Sequence, residues 1–146
     1  MEADESEKLL AAHDGPELFF GLVCPTGTET AGVVDALTAA LARVGYTTEQ
    51  ISLSNLIDSV TGKKTALLHE DERIRHLMKA GTKLCDDSGR GDFIALLAIA
   101  AIRQIRTEKH RLKKPELKEA EAANLPLNRT AYVLKSLKRE QEAQTL

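Results

Sequence analysis

Tryptophan is absent from this 146-residue chain, and two tyrosines with three phenylalanines hold the aromatic content to 3%. That argues against the stacked aromatic platforms on which single-stranded nucleic acids lie. Cysteine is almost as scarce. Cys24 and Cys85 stand far apart and form no C-x-x-C pair, which suits a compartment where thiols stay reduced. The four histidines, at 13, 69, 76 and 110, are scattered without zinc-ligand spacing, and no Ser/His/Asp or Cys/His arrangement stands out. No apolar run reaches membrane-spanning length, and the opening MEADESEKLLAAHDG is too acidic and polar for a signal peptide. A cytoplasmic location is therefore expected, and the Asn128-Arg129-Thr130 glycosylation pattern then carries no meaning. Charge of one sign is lacking too: 20 basic against 22 acidic side chains leave −2, with no whole-chain attraction to nucleic acid or anionic membrane.

What is present is enough apolar material for one core, 42% of the residues, in a chain of single-domain length. Residues 1–16 read as a polar tail, with a short helix around Glu7 to Ala12, and residues 17–146 as the domain. Glu17 to Val23 is a continuous apolar run, as a central parallel strand buried on both faces requires. A turn, Cys24-Pro25-Thr26-Gly27-Thr28, leads to a helix over Thr30 to Val44, with Val33, Val34, Leu37, Leu41 and Val44 at helical spacing and Gly45 as its stop. Tyr46 to Leu53 reads as a second strand, and Ser54 as the cap of a short helix through Ile57. Strand, helix and strand in that order predict a parallel sheet with a right-handed crossover.

Further along, residues 58–70 read as a loop, Glu70 to Leu84 as a helix, and Asp86 to Gly91 as a break. Asp92 is placed to cap the next helix, whose first half is apolar nearly all round and whose second half is basic. Pro115 to Asn124 reads as a charged connection, Thr130 to Leu137 as a third strand, and Arg139 onward as a starting helix. Three strands fall short of the usual sheet of about five. The expectation is an α/β domain whose sheet is incomplete in this chain, either the N-terminal part of a longer protein or one completed by a partner.

The turn after the first strand invites comparison with the phosphate loop GxxxxGK[ST], where backbone N–H groups and a helix N-terminus face an anion. On Cys24 to Ala31, CPTGTETA, the template meets Cys24 and Glu29 at its glycines, Thr30 at its lysine and Ala31 at its hydroxyl. Without the lysine the main charge opposing a triphosphate is gone, and Glu29 adds one of the wrong sign. Backbone amides at Thr26, Gly27 and Thr28 could still hold a phosphate, and the alternative is a tight β–α turn without a ligand. Arg73, Arg75, Lys79 and Arg90 are of the type that grips a monophosphate in nucleotide kinases. Arg73 and Lys79 suit a solvated helix face better, while Arg90 sits beside Gly89 and Gly91 at a helix break. The basic run Arg103, Arg106, Lys109, His110, Arg111, Lys113 and Lys114 could face nucleic acid or a nucleotide's phosphates, but such a run is more often a solvated helix end.

Four blocks occur in order: GLVCPTGTET at 21–30, ISLSNLID at 51–58, RIRHLMKAGTKLCDDSGRGDFIALLAIAAI at 73–102 and AYVLKSLKRE at 131–140. Together they resemble the N-terminal nucleotide-kinase-like domain of antiviral deoxycytidylate (dCTP) deaminases. The resemblance implies a P-loop NTPase or mononucleotide-kinase-like three-layer fold with a degenerate phosphate loop. It carries over Pro25, Gly27 and Thr28 from the first loop, with Thr26 between them, Gly89, Arg90 and Asp92 from a G-R-x-D motif, and Ser136, Leu137 and Lys138 from S-L-K. Cys24 departs from the family's glycine. Lys135 stands where related kinases carry the acid that holds Mg²⁺, which argues against phosphoryl transfer. The nucleotide- or phosphate-binding set is then Pro25, Thr26, Gly27, Thr28, Arg90, Asp92, Ser136 and Lys138, with no catalytic or metal-binding residue.

The implied ligand is a deoxynucleotide of the deoxycytidine kind, and the implied partner a deaminase domain or a second copy of the chain. In the family a zinc-dependent deaminase domain follows, converting deoxycytidine nucleotides to deoxyuridine forms and starving phage of dCTP. Its H-x-E and P-C-x-x-C motifs are not in this sequence, so zinc is expected only there and no cofactor for this chain. The expected role is a nucleotide-binding regulatory module; the alternatives are an active deoxynucleoside monophosphate kinase and a structural oligomerisation domain.

Overall fold

A computed structural model describes residues 15–25 and 27–146, so the helix expected around Glu7 to Ala12 lies outside the described residues. Three strands, β1 (Leu18–Val23), β2 (Thr47–Ser52) and β3 (Thr130–Leu137), form one open parallel sheet in the order β1-β3-β2. The helices are α1 (Ala31–Arg43), α2 (Leu53–Thr61), α3 (Glu70–Ser88), α4 (Phe93–Lys113), α5 (Glu119–Asn124) and α6 (Glu140–Thr145), with a 3₁₀ turn at Thr65–Leu67. The α/β class and the parallel sheet are as the strand–helix–strand pattern predicts. No helix among the described residues is long and apolar enough to cross a membrane.

The chain divides into two compact units, and each strand gives its first residues to one and its last residues to the other. Among the described residues, the first unit comprises 15–20, 29–50 and 103–133. Its core holds Val34 and Leu41 of α1, Ala122 and Ala123 of α5, and Ala131 to Val133 of β3. Phe19 stacks on Tyr132, ring centroids 5.3 Å apart and 17° from coplanar. The connection at 115–124 is thus not wholly loop: the alanine pair packs inward while the glutamates of α5 stay exposed.

The basic half of α4 also departs from its reading as a solvated end. Arg106 donates through Nε to Glu17 Oε1 at 3.0 Å and through Nη2 to Oε2, and Lys109 pairs with Glu49. The His110 ring lies 3.1 Å from the Leu125 carbonyl oxygen. Glu17 also accepts the Leu127 N–H at 2.7 Å and the Tyr132 hydroxyl at 3.0 Å. Burial pushes the Glu17 carboxyl upward, but these donors outweigh it and hold it below its ordinary value. Burial, with the Glu17 charge next, raises the Tyr132 phenol.

The second unit comprises residues 21–28, 51–102 and 134–146. Ile51, Leu53, Ile57, Ile94, Ala95 and Leu134 are among its buried residues. The apolar first half of α4 is half-buried or buried from Phe93 to Ile99, as its composition predicts. Helix α2 is longer than expected and is capped by Ser52, whose Oγ accepts the Asn55 N–H at 3.4 Å; Ser54 lies inside the first turn. Asp58 Oδ2 then accepts from both the backbone and the hydroxyl of Thr65, folding part of the expected loop into the 3₁₀ turn. Helix α3 runs on to Ser88, with Lys83 and Asp87 paired one turn apart at 2.6 Å on its surface, so the predicted break begins only at Gly89. Gly89 takes φ 66°, and the Arg90 N–H bonds back to the Cys85 carbonyl at 3.0 Å, closing the helix.

One expectation is corrected outright. Strand β1 is an outer strand of the sheet, and its residues alternate between half-buried and exposed instead of being buried on both faces. Phe19 is 48% exposed and Val23 66%.

Candidate functional site

Ligands of open parallel sheets sit beyond the carboxyl ends of the strands. Apart from Thr26, which lies outside the described residues, every residue of the expected nucleotide-binding set belongs to the second unit. Pro25, Gly27 and Thr28 form the turn after β1. The Thr28 N–H bonds to the Pro25 carbonyl at 3.1 Å, and Gly27 adopts φ 83°, a left-handed conformation that glycine takes without strain. All three are exposed. In the first unit, the Glu29 carboxylate accepts the Ala31 N–H at 2.8 Å, so the start of α1 is served by a side chain of its own chain.

Ser136 and Lys138 close β3. Ser136 is exposed and holds φ 74°, rare for a residue with a side chain. The Lys138 ammonium donates to the Cys24 carbonyl oxygen at 3.0 Å, which joins the end of β3 to the turn after β1 across 114 residues of sequence. Behind it, the buried Glu142 carboxylate of α6 accepts the N–H groups of Lys138 and Arg139 at 2.9 and 3.1 Å. Lys135 is half-buried.

Arg90 and Asp92 stand at the break between α3 and α4. Asp92 stands at the expected capping position, immediately before α4 with its carbonyl accepting the Leu96 N–H, while its carboxylate accepts Arg90 Nε at 2.9 Å, Arg90 Nη2 at 2.8 Å and the Thr145 hydroxyl at 2.9 Å. The Arg90 bond first, then Thr145, holds the Asp92 carboxyl at about 2. Sequence reasoning had no route to Glu142 or Thr145, because the short polar EQEAQT stretch has no motif.

The other arginine candidates are surface pairs, Arg73 with Glu70 and Arg75 with Asp71, and Lys79 is exposed. Met78, Lys79, Thr82, Lys83, Asp86 and Asp87 line a shallow groove of about 450 Å³ whose walls come from α3 alone. Among the described residues no cluster of three or more His, Cys, Asp or Glu side chains is placed to hold a metal ion. No protein-family model, curated protein or solved structure matches the chain.

Proposed function

We propose that this chain is the nucleotide-binding, regulatory module of an anti-phage deoxycytidylate deaminase. In this reading it has the P-loop NTPase or mononucleotide-kinase-like fold with a degenerate phosphate loop, and partners a deaminase domain or a second copy of itself. The observation that carries the reading is the Lys138 hydrogen bond to the Cys24 carbonyl, which draws together the two loops where a phosphate would lie. Gly27 in that turn leaves room for close approach, since an added Cβ would meet nothing within 4 Å. The module binds the phosphate through the Gly27 N–H, Lys138 and Arg90, the expected Thr28 amide being taken by the Pro25 carbonyl, and carries out no phosphoryl transfer, because Thr30, Ala31 and Lys135 stand where lysine, hydroxyl and acid would act.

A second reading, a structural oligomerisation domain, is favoured by one feature. Strand β1 is an outer strand with no charged residue or proline to blunt it. Thermal melting with deoxycytidine mono- and triphosphate separates the two. Binding to the folded chain raises the melting temperature with ligand concentration, whereas a structural domain melts unchanged at millimolar nucleotide. ATP hydrolysis or phosphorylation of deoxycytidine monophosphate above background, lost on mutating Gly27, would overturn the non-catalytic assignment.

A further inference from the structure

The Arg90–Asp92 pair is side-on: one N–H from Nε and one from Nη2 meet the two carboxylate oxygens. A guanidinium carries five N–H bonds in a rigid planar fork. The outer edge, both N–H bonds of Nη1 and the second of Nη2, has no partner among the described residues. That edge offers two parallel donors, the geometry that matches two oxygens of a phosphate. The Arg90 side chain is 55% exposed while Asp92 is only 17% exposed, so the clamp is sheltered and the arginine remains open to solvent.

Asp92 is itself held. Thr145 of α6 donates to Oδ2, and the buried Glu142 carboxylate caps the first turn of α6 by accepting the Lys138 and Arg139 N–H groups. The Asp92 carboxylate is thus held by the Thr145 hydroxyl as well as by Arg90, and the arginine lies in the plane of that carboxylate pair.

We propose that Asp92 is a positioning residue that presents the outer edge of Arg90 to a phosphate group and does not touch the ligand. The proposal rests on the nucleotide-binding reading of this site and narrows it to a phosphate with two free oxygens that this edge can grip with two bonds. A carboxylate that merely sequestered Arg90 would act in the opposite sense, since removing its charge would free the arginine and tighten binding. The three unpartnered donors and the Thr145 anchor favour positioning.

The test is calorimetric titration of the full chain with inorganic phosphate and with deoxycytidine monophosphate, on the wild type, Arg90→Ala, Asp92→Asn and the double variant. Asp92→Asn is expected to weaken both probes about tenfold, although it removes a negative charge from beside an anion. Arg90→Ala weakens both by at least as much, and the double variant binds like Arg90→Ala, because nothing is left to position. Thr145→Val, which leaves both charged groups in place and removes only the hydroxyl bond to Asp92, weakens both by a smaller factor and serves if Asp92→Asn fails to fold. Unchanged or tighter binding by Asp92→Asn, or by Thr145→Val in its place, overturns the positioning role while the phosphate site stands. Loss confined to the nucleotide makes Asp92 a nucleoside contact and overturns it as well. If the wild type takes up neither probe, the nucleotide-binding reading falls and the proposal falls with it.

Discussion

Glu17 and Arg106 meet across 89 residues of sequence, the carboxylate against the guanidinium on two oxygens, with Glu17 nearly enclosed at 5% exposure. The same carboxylate receives the Leu127 N–H and the Tyr132 hydroxyl, so one side chain ties the start of β1 to α4 and to the approach and interior of β3. Removing one partner of such a pair strands the other. Glu17→Ala is expected to cost about 3 kcal/mol in urea unfolding, at the low end for buried pairs because Arg106 keeps 18% of its side chain in water. A loss below about 1 kcal/mol would show that the pair contributes no more than a surface one.

The pH dependence follows from the same group. Its folded carboxyl is held below the ordinary value, so its contribution is complete above the unfolded value of about 4.3 and is lost as the pH falls through the lower folded one. Stability of the wild type should fall as the pH drops below about 5, and Glu17→Gln should flatten part of that slope. Parallel curves for the two proteins would count against it. Asp92, held at about 2, contributes in the same direction, so the Arg90 clamp persists from neutral pH down to about 4 and loosens only below.

A glycine in β1 has a packing reason. A Cβ on Gly21 would sit 2.7 Å from Leu137 Cδ1, and Leu137 is buried. Gly21→Ala should destabilise by about 1–3 kcal/mol. Adding Leu137→Ala, itself costing about 2–5 kcal/mol, should give less than the sum, since the clash disappears with the leucine. Strict additivity in thermal melts would place the cost elsewhere.

Ser136 holds a left-handed backbone at φ 74°, which costs about 1–2 kcal/mol for a residue with a Cβ. Ser136→Gly should therefore stabilise the chain by about 1 kcal/mol. A destabilised variant would mean that the serine side chain makes a compensating bond.

For the ligand, Lys138→Ala should weaken deoxycytidine nucleotide binding by about 1.5–3 kcal/mol, the worth of a charge-assisted hydrogen bond. Lys79→Ala, on the exposed face of α3, should change it by less than about 0.5 kcal/mol. Equal effects from the two in calorimetry would remove Lys138 from the site.

The elements legible in the sequence were those with one strong local signal: the apolar run of β1, the helical spacing and glycine stop of α1, and the apolar half of α4. Local signals failed where the deciding partner was distant or the cue was ambiguous. Two serines flank the start of α2, and hydrogen-bond geometry, not residue type, selects Ser52 over Ser54. An apolar run does not say whether both faces find cover, so β1 was read as central when only one of its faces is sheltered. At the candidate site, Arg90 and Asp92 were visible two residues apart, but Thr145, 53 residues beyond Asp92, announces itself only in three dimensions. The basic run of α4 looked solvated because Glu17 and Glu49 lie far upstream.

The strand order has a kinetic consequence. Because β3 lies between β1 and β2, neither earlier strand has a hydrogen-bonded neighbour in this sheet until residue 130 and beyond have been made. On the ribosome, nearly nine-tenths of the chain waits with the strands of this sheet unpaired, and the sheet then forms by a late insertion that closes long loops on both sides at once. Such non-local closure is slow compared with helix formation, so refolding should show early helical signal followed by a later, single sheet-forming phase.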